Sequence, residues 1–70
     1  MLIRVDDESL VDDLCGHYRR SGFTAERAGG GMVEIARPEP VSDSEARREI
    51  LAHLRVWNLI NRDAHAEPVD

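Results

Sequence analysis

Three consecutive carboxylates, Asp6, Asp7 and Glu8, stand near the start of the sequence. Clustered carboxylates bind hard cations such as Mg²⁺ and Ca²⁺. Carboxylates at the start of a helix also cap its free amides and interact favourably with the positive end of its dipole. Because an amphipathic segment follows directly, we expect capping to be their main role, with a weak ligand or cation site at Asp6 and Asp7 as the alternative.

The remaining reactive side chains give no catalytic or metal-binding pattern. Cys15 and His17 point about 200° apart on a helix, so they cannot hold one zinc ion together without distorting it. Asp13, His17 and Ser21 share one helix side at four-residue steps, but nothing near them supplies an oxyanion site. We therefore expect no enzyme activity, no metal centre and no cofactor.

The segment Leu2–Glu8, followed by a predicted helix and a Gly-Phe pair, resembles the opening of response-regulator receiver domains. In that family an acidic pair after the first strand helps to hold Mg²⁺. Receiver domains also need a phospho-accepting Asp after the third strand and a later Lys, whereas this chain has no Asp between Asp13 and Asp43 and no Lys. Receiver phosphotransfer is therefore not expected.

Length and composition favour a small acidic globular protein. Seventy residues with 41% hydrophobic side chains suffice for one domain with a modest core. The net charge of −5 disfavours nucleic-acid binding, which depends on neutralising phosphates. All nine basic residues are Arg, which is typical of GC-rich bacterial genes. A single Cys and the lack of a long apolar run predict a cytoplasmic protein without membrane association.

The spacing of apolar residues predicts a strand, a helix, a β-hairpin and a long helix, in that order. The predicted ranges are Leu2–Val5, Glu8–Ser21, Phe23–Arg27, Met32–Ala36 and, after a Ser42-Glu45 capping box, 43 to about 61. Gly22 is placed to end the first helix, with Phe23 folded back on Tyr18. Ala28–Gly31 is predicted to be a flexible hairpin turn, and its three glycines are not expected to form a phosphate loop because they join two strands.

This order of elements predicts an α+β fold, specifically a ferredoxin-like two-layer sandwich. We expect one α+β domain over residues 1–63. Residues 64–70 form either a free tail or a short C-terminal edge strand, where Pro68 is tolerated.

The long second helix carries two apolar faces. One contains Ala46, Ile50, Leu54, Trp57 and Asn61, flanked by Leu51; the other contains Ala52, Val56, Leu59 and Ile60. A two-layer domain of this length covers only one of them, so we expect another polypeptide to cover the second. Arg48, Arg55 and Arg62 recur every seven residues along its margin.

We therefore predict a protein-association module that binds a protein partner, including a second copy of itself as one option. The expected contact residues are Ala52, Arg55, Val56, Leu59, Ile60 and Arg62. A first alternative is that Ile60 packs under the tail and the arginines form an ordinary solvated face. A second alternative is a regulatory domain that senses a small molecule or cation at Asp6, Asp7 and the glycine turn.

Overall fold

Four short strands form one antiparallel sheet in a computed structural model that describes residues 1–69; Asp70, the last residue of the predicted tail, lies outside them. The strands are β1 (Leu2–Val5), β2 (Thr24–Gly29), β3 (Met32–Ala36) and β4 (Ala66–Pro68). The helices are α1 (Val11–Arg20) and α2 (Asp43–Ile60), with a 3₁₀ turn at Glu8–Leu10. The strand order is β2-β3-β1-β4, so the predicted α+β class is confirmed.

Alternating strand residues and one face of each helix build the core. The buried residues from the strands are Ile3, Val5, Ala25, Val33, Ile35 and Ala66. The helices add Val11, Leu14, Cys15, Tyr18, Ile50, Leu54 and Trp57. Alternate strand positions such as Arg4, Glu26 and Glu34 are exposed, so the helices cover one side of the sheet. The core face predicted for the long helix is buried at Ile50, Leu54 and Trp57.

The start of the first helix differs from the predicted boundary at Glu8. The Asp7 side chain accepts a hydrogen bond from the Ser9 amide at 3.0 Å, and the Leu10 amide donates to the Asp7 carbonyl at 3.0 Å. The second bond spans three residues, which is the 3₁₀ pattern. The α-helix therefore begins only at Val11.

The end of α1 confirms the predicted glycine stop. Gly22 has a φ of 89°. The Phe23 amide donates to the Tyr18 carbonyl at 3.0 Å, and the Gly22 amide donates to the Arg19 carbonyl at 3.2 Å. These are the two bonds of a Schellman motif. The rings of Tyr18 and Phe23 meet edge to face with centroids 5.4 Å apart, so an aromatic contact closes the turn.

The glycine hairpin is tighter than the sequence predicts. The register shifts between Arg27 and Gly29, which leaves Ala28 as a bulge, and Gly29 pairs with Met32. Gly30 and Gly31 have φ values of 57° and 79°, as a type I′ turn requires. The buried Gly31 accepts a hydrogen bond from the Val5 amide at 2.9 Å, so the turn packs against the end of β1.

The long helix begins at its predicted cap and ends one turn before the tail. The Ser42 hydroxyl accepts a hydrogen bond from the Glu45 amide at 3.2 Å. At the other end, the Asn61 amide donates to the Trp57 carbonyl at 2.9 Å, and the chain then turns back towards the sheet. The tail adds β4, which pairs with β1 through Ile3–Pro68, Arg4–Glu67 and Val5–Ala66.

One buried hydroxyl joins the two helices. The Tyr18 hydroxyl, which is fully buried, donates to the Ile50 carbonyl at 2.6 Å. Burial raises the pKa of Tyr18 above its ordinary value of 10.0, because the phenolate would lose its hydration. The neutral phenol is therefore part of the helix packing.

The two central glycines of the hairpin provide a matched pair of substitutions. A Cβ at position 31 would lie 2.8 Å from the Val5 carbonyl oxygen, whereas a Cβ at position 30 meets nothing within 4 Å. We expect Gly30→Ala to lower the free energy of unfolding by about 1 kcal/mol, the cost of a left-handed alanine. Gly31→Ala should lower it by about 2–3 kcal/mol, because β1 must also shift. Equal losses in urea unfolding would contradict this contact.

Stability at alkaline pH tests the buried phenol. Because the folded state raises the pKa of Tyr18, the unfolded chain releases this proton first, near pH 10. The free energy of unfolding should therefore fall above about pH 10, by about 1.4 kcal/mol per pH unit, and Tyr18→Phe should lack this slope. Burial also raises the pKa of Cys15, so its thiol would add a pH dependence of its own. Cys15→Ala is therefore introduced into both the parent chain and the Tyr18→Phe variant. Urea unfolding across this pH range gives the slopes; parallel slopes would refute the expectation.

Candidate functional site

The second face of α2 is exposed along its C-terminal half. Val56, Leu59 and Ile60 are 47%, 62% and 70% exposed, and they are the large hydrophobic residues that residues 1–69 leave exposed. Ala52, Arg55 and Arg62 on the same side are exposed as well. We call these six residues the α2 patch: Ala52, Arg55, Val56, Leu59, Ile60 and Arg62.

Residues 64–69, the described part of the tail, do not cover the α2 patch. The sequence left open that Ile60 packs beneath the tail, and the exposure of Ile60 shows that alternative to be wrong. After Asn61 the chain runs back to the sheet, where Ala64 and Ala66 are buried. The patch is therefore open to solvent in the isolated chain.

A groove runs beside the patch, between α2 and β4. Its volume is about 510 Å³. Leu51, Leu54 and Leu59 line one wall, and Ala66 and Pro68 line the other. Because Leu59 belongs to both the groove and the α2 patch, the two form one continuous apolar surface.

Unpaired arginines border this surface. Arg27 and Arg37 bond carboxylates of the same chain, whereas Arg48, Arg55 and Arg62 take part in no ion pair within the described residues. All three are exposed. An exposed guanidinium without a partner is free to bind a carboxylate from outside the chain.

The outer edge of β4 is closed by a side chain of α2. The Asn58 amide nitrogen donates to the Ala66 carbonyl at 2.9 Å, and the Ala66 amide donates to the Asn58 side-chain oxygen at 2.9 Å. Ala66 turns these groups away from β1. The backbone bonds at the two ends of this pairing are made by His65, with Asp6, and by Val69, with Leu2, and in an antiparallel pair such bonds skip alternate residues. Pro68 has no amide hydrogen to offer. An added strand finds few backbone partners here.

The outer edge of β2 is blunted by different means. Arg19 donates from Nε and Nη2 to the Ala25 carbonyl, at 3.1 and 2.5 Å. The bulge at Ala28 then bends the strand before the turn. Both sheet edges are thus protected against pairing with another chain, which leaves the helical side as the surface suited to association.

Asp6 and Asp7 in the acidic loop make separate hydrogen bonds. Asp7 caps the 3₁₀ turn, and its Oδ1 accepts from both the amide and the hydroxyl of Ser9, at 3.0 and 2.6 Å. The capping role is thereby confirmed for Asp7. Asp6 instead accepts from the His65 amide at 2.8 Å, which fixes the start of the tail. Over residues 1–69, no group of three or more His, Cys, Asp or Glu side chains is placed to hold a metal ion.

The residues at four-residue steps on α1 serve separate contacts. Asp13 accepts a hydrogen bond from the Trp57 indole at 2.9 Å. His17 places Nε2 3.1 Å from the His53 carbonyl oxygen, and Ser21 donates to the His17 carbonyl at 3.1 Å. No relay from acid to base to nucleophile connects them.

Sequence reasoning missed Asn58 and the bond from Trp57 to Asp13. Asn58 lies between the predicted core face and the arginines, and nothing in its local sequence indicates a backbone partner in the tail. Asp13 is exposed, as the helical period predicts, yet the indole of α2 reaches it. Only the packing of the two helices brings these groups together.

No family model, curated protein or solved structure matches this chain. Across the described residues, no helix combines the length and the apolar character that crossing a bilayer requires. The functional conclusion therefore rests on the α2 patch, the groove and the charges around them.

Substituting Asn58 tests the closed edge of β4. Asn58→Leu removes both bonds to Ala66, so we expect a loss of about 1–3 kcal/mol in the free energy of unfolding and faster hydrogen exchange at the amide of Ala66. Asn58→Asp keeps an acceptor for that amide and should lose less. Unchanged exchange in Asn58→Leu would show that the side chain does not hold the strand.

Proposed function

We propose that this protein is an association module that binds a protein partner through the α2 patch. The observation that carries the proposal is the exposure of Val56, Leu59 and Ile60 together on one side of one helix. Removing these side chains from water would supply affinity, at about 25 cal/mol per Å² of apolar area buried. Arg55 and Arg62 at the margin would orient the partner by charge.

The fold proposed for this module is the ferredoxin-like sandwich. The strand order β2-β3-β1-β4 supports it. The positions of the helices in the chain support it as well, because α1 lies between β1 and β2 and α2 lies between β3 and β4. In such a two-layer arrangement the sheet covers one side of each helix. The outer side of α2 then remains available for contact with another molecule.

The alternative sensing role has no comparable support. Asp6 and Asp7 already accept backbone hydrogen bonds, and Gly31 is packed against Val5. The net charge of −5 supports a partner other than nucleic acid, and the cytoplasmic location remains part of the proposal.

Leu59→Asp tests the association surface. The side chain is largely exposed, so we expect the free energy of unfolding to change by no more than about 0.5 kcal/mol. A charge at the centre of the patch should weaken binding at least about tenfold, equivalent to 1.4 kcal/mol. Light scattering measures self-association, and retention on the immobilised chain measures binding of another protein.

Ala28→Asp is the matched control. It introduces the same charge at an exposed bulge on the far edge of the sheet, and it should bind as the wild type does. If Leu59→Asp has the same mass and retains the same proteins as Ala28→Asp, the α2 patch is not an association surface.

A further inference from the structure

We propose that the α2 patch and the adjoining groove bind an amphipathic helix of another protein, whose apolar stripe is flanked by Asp or Glu. This inference rests on the proposed function and names its partner by chemistry. Three features of the molecule support it: the exposed arginines at positions 48, 55 and 62, the protected sheet edges, and the shape of the surface between α2 and β4.

Charge indicates an acidic partner. The chain has a net charge of −5, yet Arg48 and Arg55 on α2 and Arg62 just beyond its end are exposed and make no ion pair among the described residues. The six residues of the patch include two arginines and no carboxylate. Of the groove residues, Glu67 is the acidic one, and its Oε2 lies 3.7 Å from His65 Nε2. Carboxylates beside an incoming apolar stripe would complement this border.

A second copy of this chain fits the surface less well. A two-fold interface places a patch against the same patch of the other molecule. Each patch, with two arginines and no carboxylate, would then face a patch of the same charge. The charge of the patch therefore favours a different protein.

The backbone of the sheet favours a helix over a strand as the bound element. Asn58 and Pro68 close the edge of β4, so an extended peptide beside it would leave its own amides and carbonyls without partners. A helix satisfies its backbone internally and needs only side-chain contacts. Helix-in-groove recognition uses apolar anchors at helical spacing, and α2 presents its own apolar residues at 52, 56, 59 and 60.

The groove accounts for where the partner's anchors would lie. Leu59 separates the groove from Val56 and Ile60, so a helix lying along α2 could place one apolar ridge in the groove and the next beyond Leu59. Arg55 lines the groove beside Leu59. Acidic residues flanking the stripe would then reach the arginines at the margin of the contact.

Two synthetic peptides test the inference against the full chain. Both have eighteen residues, the length of α2, with Leu at helical spacing in an Ala background. One carries Glu beside the Leu stripe, and the other carries Lys at the same positions. Fluorescence anisotropy should give at least about tenfold tighter binding of the Glu peptide, and the difference should shrink as added salt screens the charges.

Two variants separate the inference from the proposed function. Arg55→Glu combined with Arg62→Glu should reverse the preference between the peptides, and Leu59→Asp should weaken binding of both. An unchanged preference in the arginine variant, equal binding of the two peptides, or no binding of either would overturn the acidic helix as partner. A dimer of the wild-type chain that Leu59→Asp dissociates would also overturn it, while leaving the association surface in place. If the peptides bind and Leu59→Asp does not weaken their binding, the proposed function itself is wrong.

Discussion

The described residues form one hydrophobic core, and that core covers only one side of α2. The four strands are short and cover one side of α2, through Ile50, Leu54 and Trp57, while the opposite side of the helix keeps its apolar residues in water. Residues 1–69 form one sheet layer and one helix layer, and neither covers these side chains. The exposed patch is thus a consequence of how much helix the chain contains relative to how much sheet it can form.

The polar contacts around that core serve its construction. Asp6 binds the start of the tail, Asp7 caps the 3₁₀ turn, and Asp13 receives the indole proton of Trp57. Each carboxylate that could have been assigned to chemistry has a structural partner. Arg48 and Arg55 on α2, and Arg62 just beyond its end, make no ion pair within residues 1–69, and the exposed apolar side chains of the same helix lie near them.

Local signals in the sequence predicted most of the fold. The Gly22-Phe23 stop and the Ser42-Glu45 cap depend on neighbours a few residues apart, so they can be recognised without knowing the tertiary structure. The apolar period likewise predicted the buried and exposed faces of α2, because a helix repeats every 3.6 residues. Contacts between different elements were beyond such reasoning: Asn58 of α2 meets Ala66 of β4, and Arg19 of α1 meets Ala25 of β2, only after the elements pack. The site was therefore predictable as an exposed face, but the closed sheet edges that favour a helical partner were not.

The place of β1 in the sheet has a consequence for the order of events during synthesis. This first strand lies between β3 and β4, and Asp6 is bonded to a residue 59 positions later. β1 therefore acquires its second neighbour only after residues 66–68 have been synthesised. Until then β1 has one unpaired side, and such an edge is where nascent chains aggregate. Completion of the sheet is therefore governed by contacts of long sequence separation.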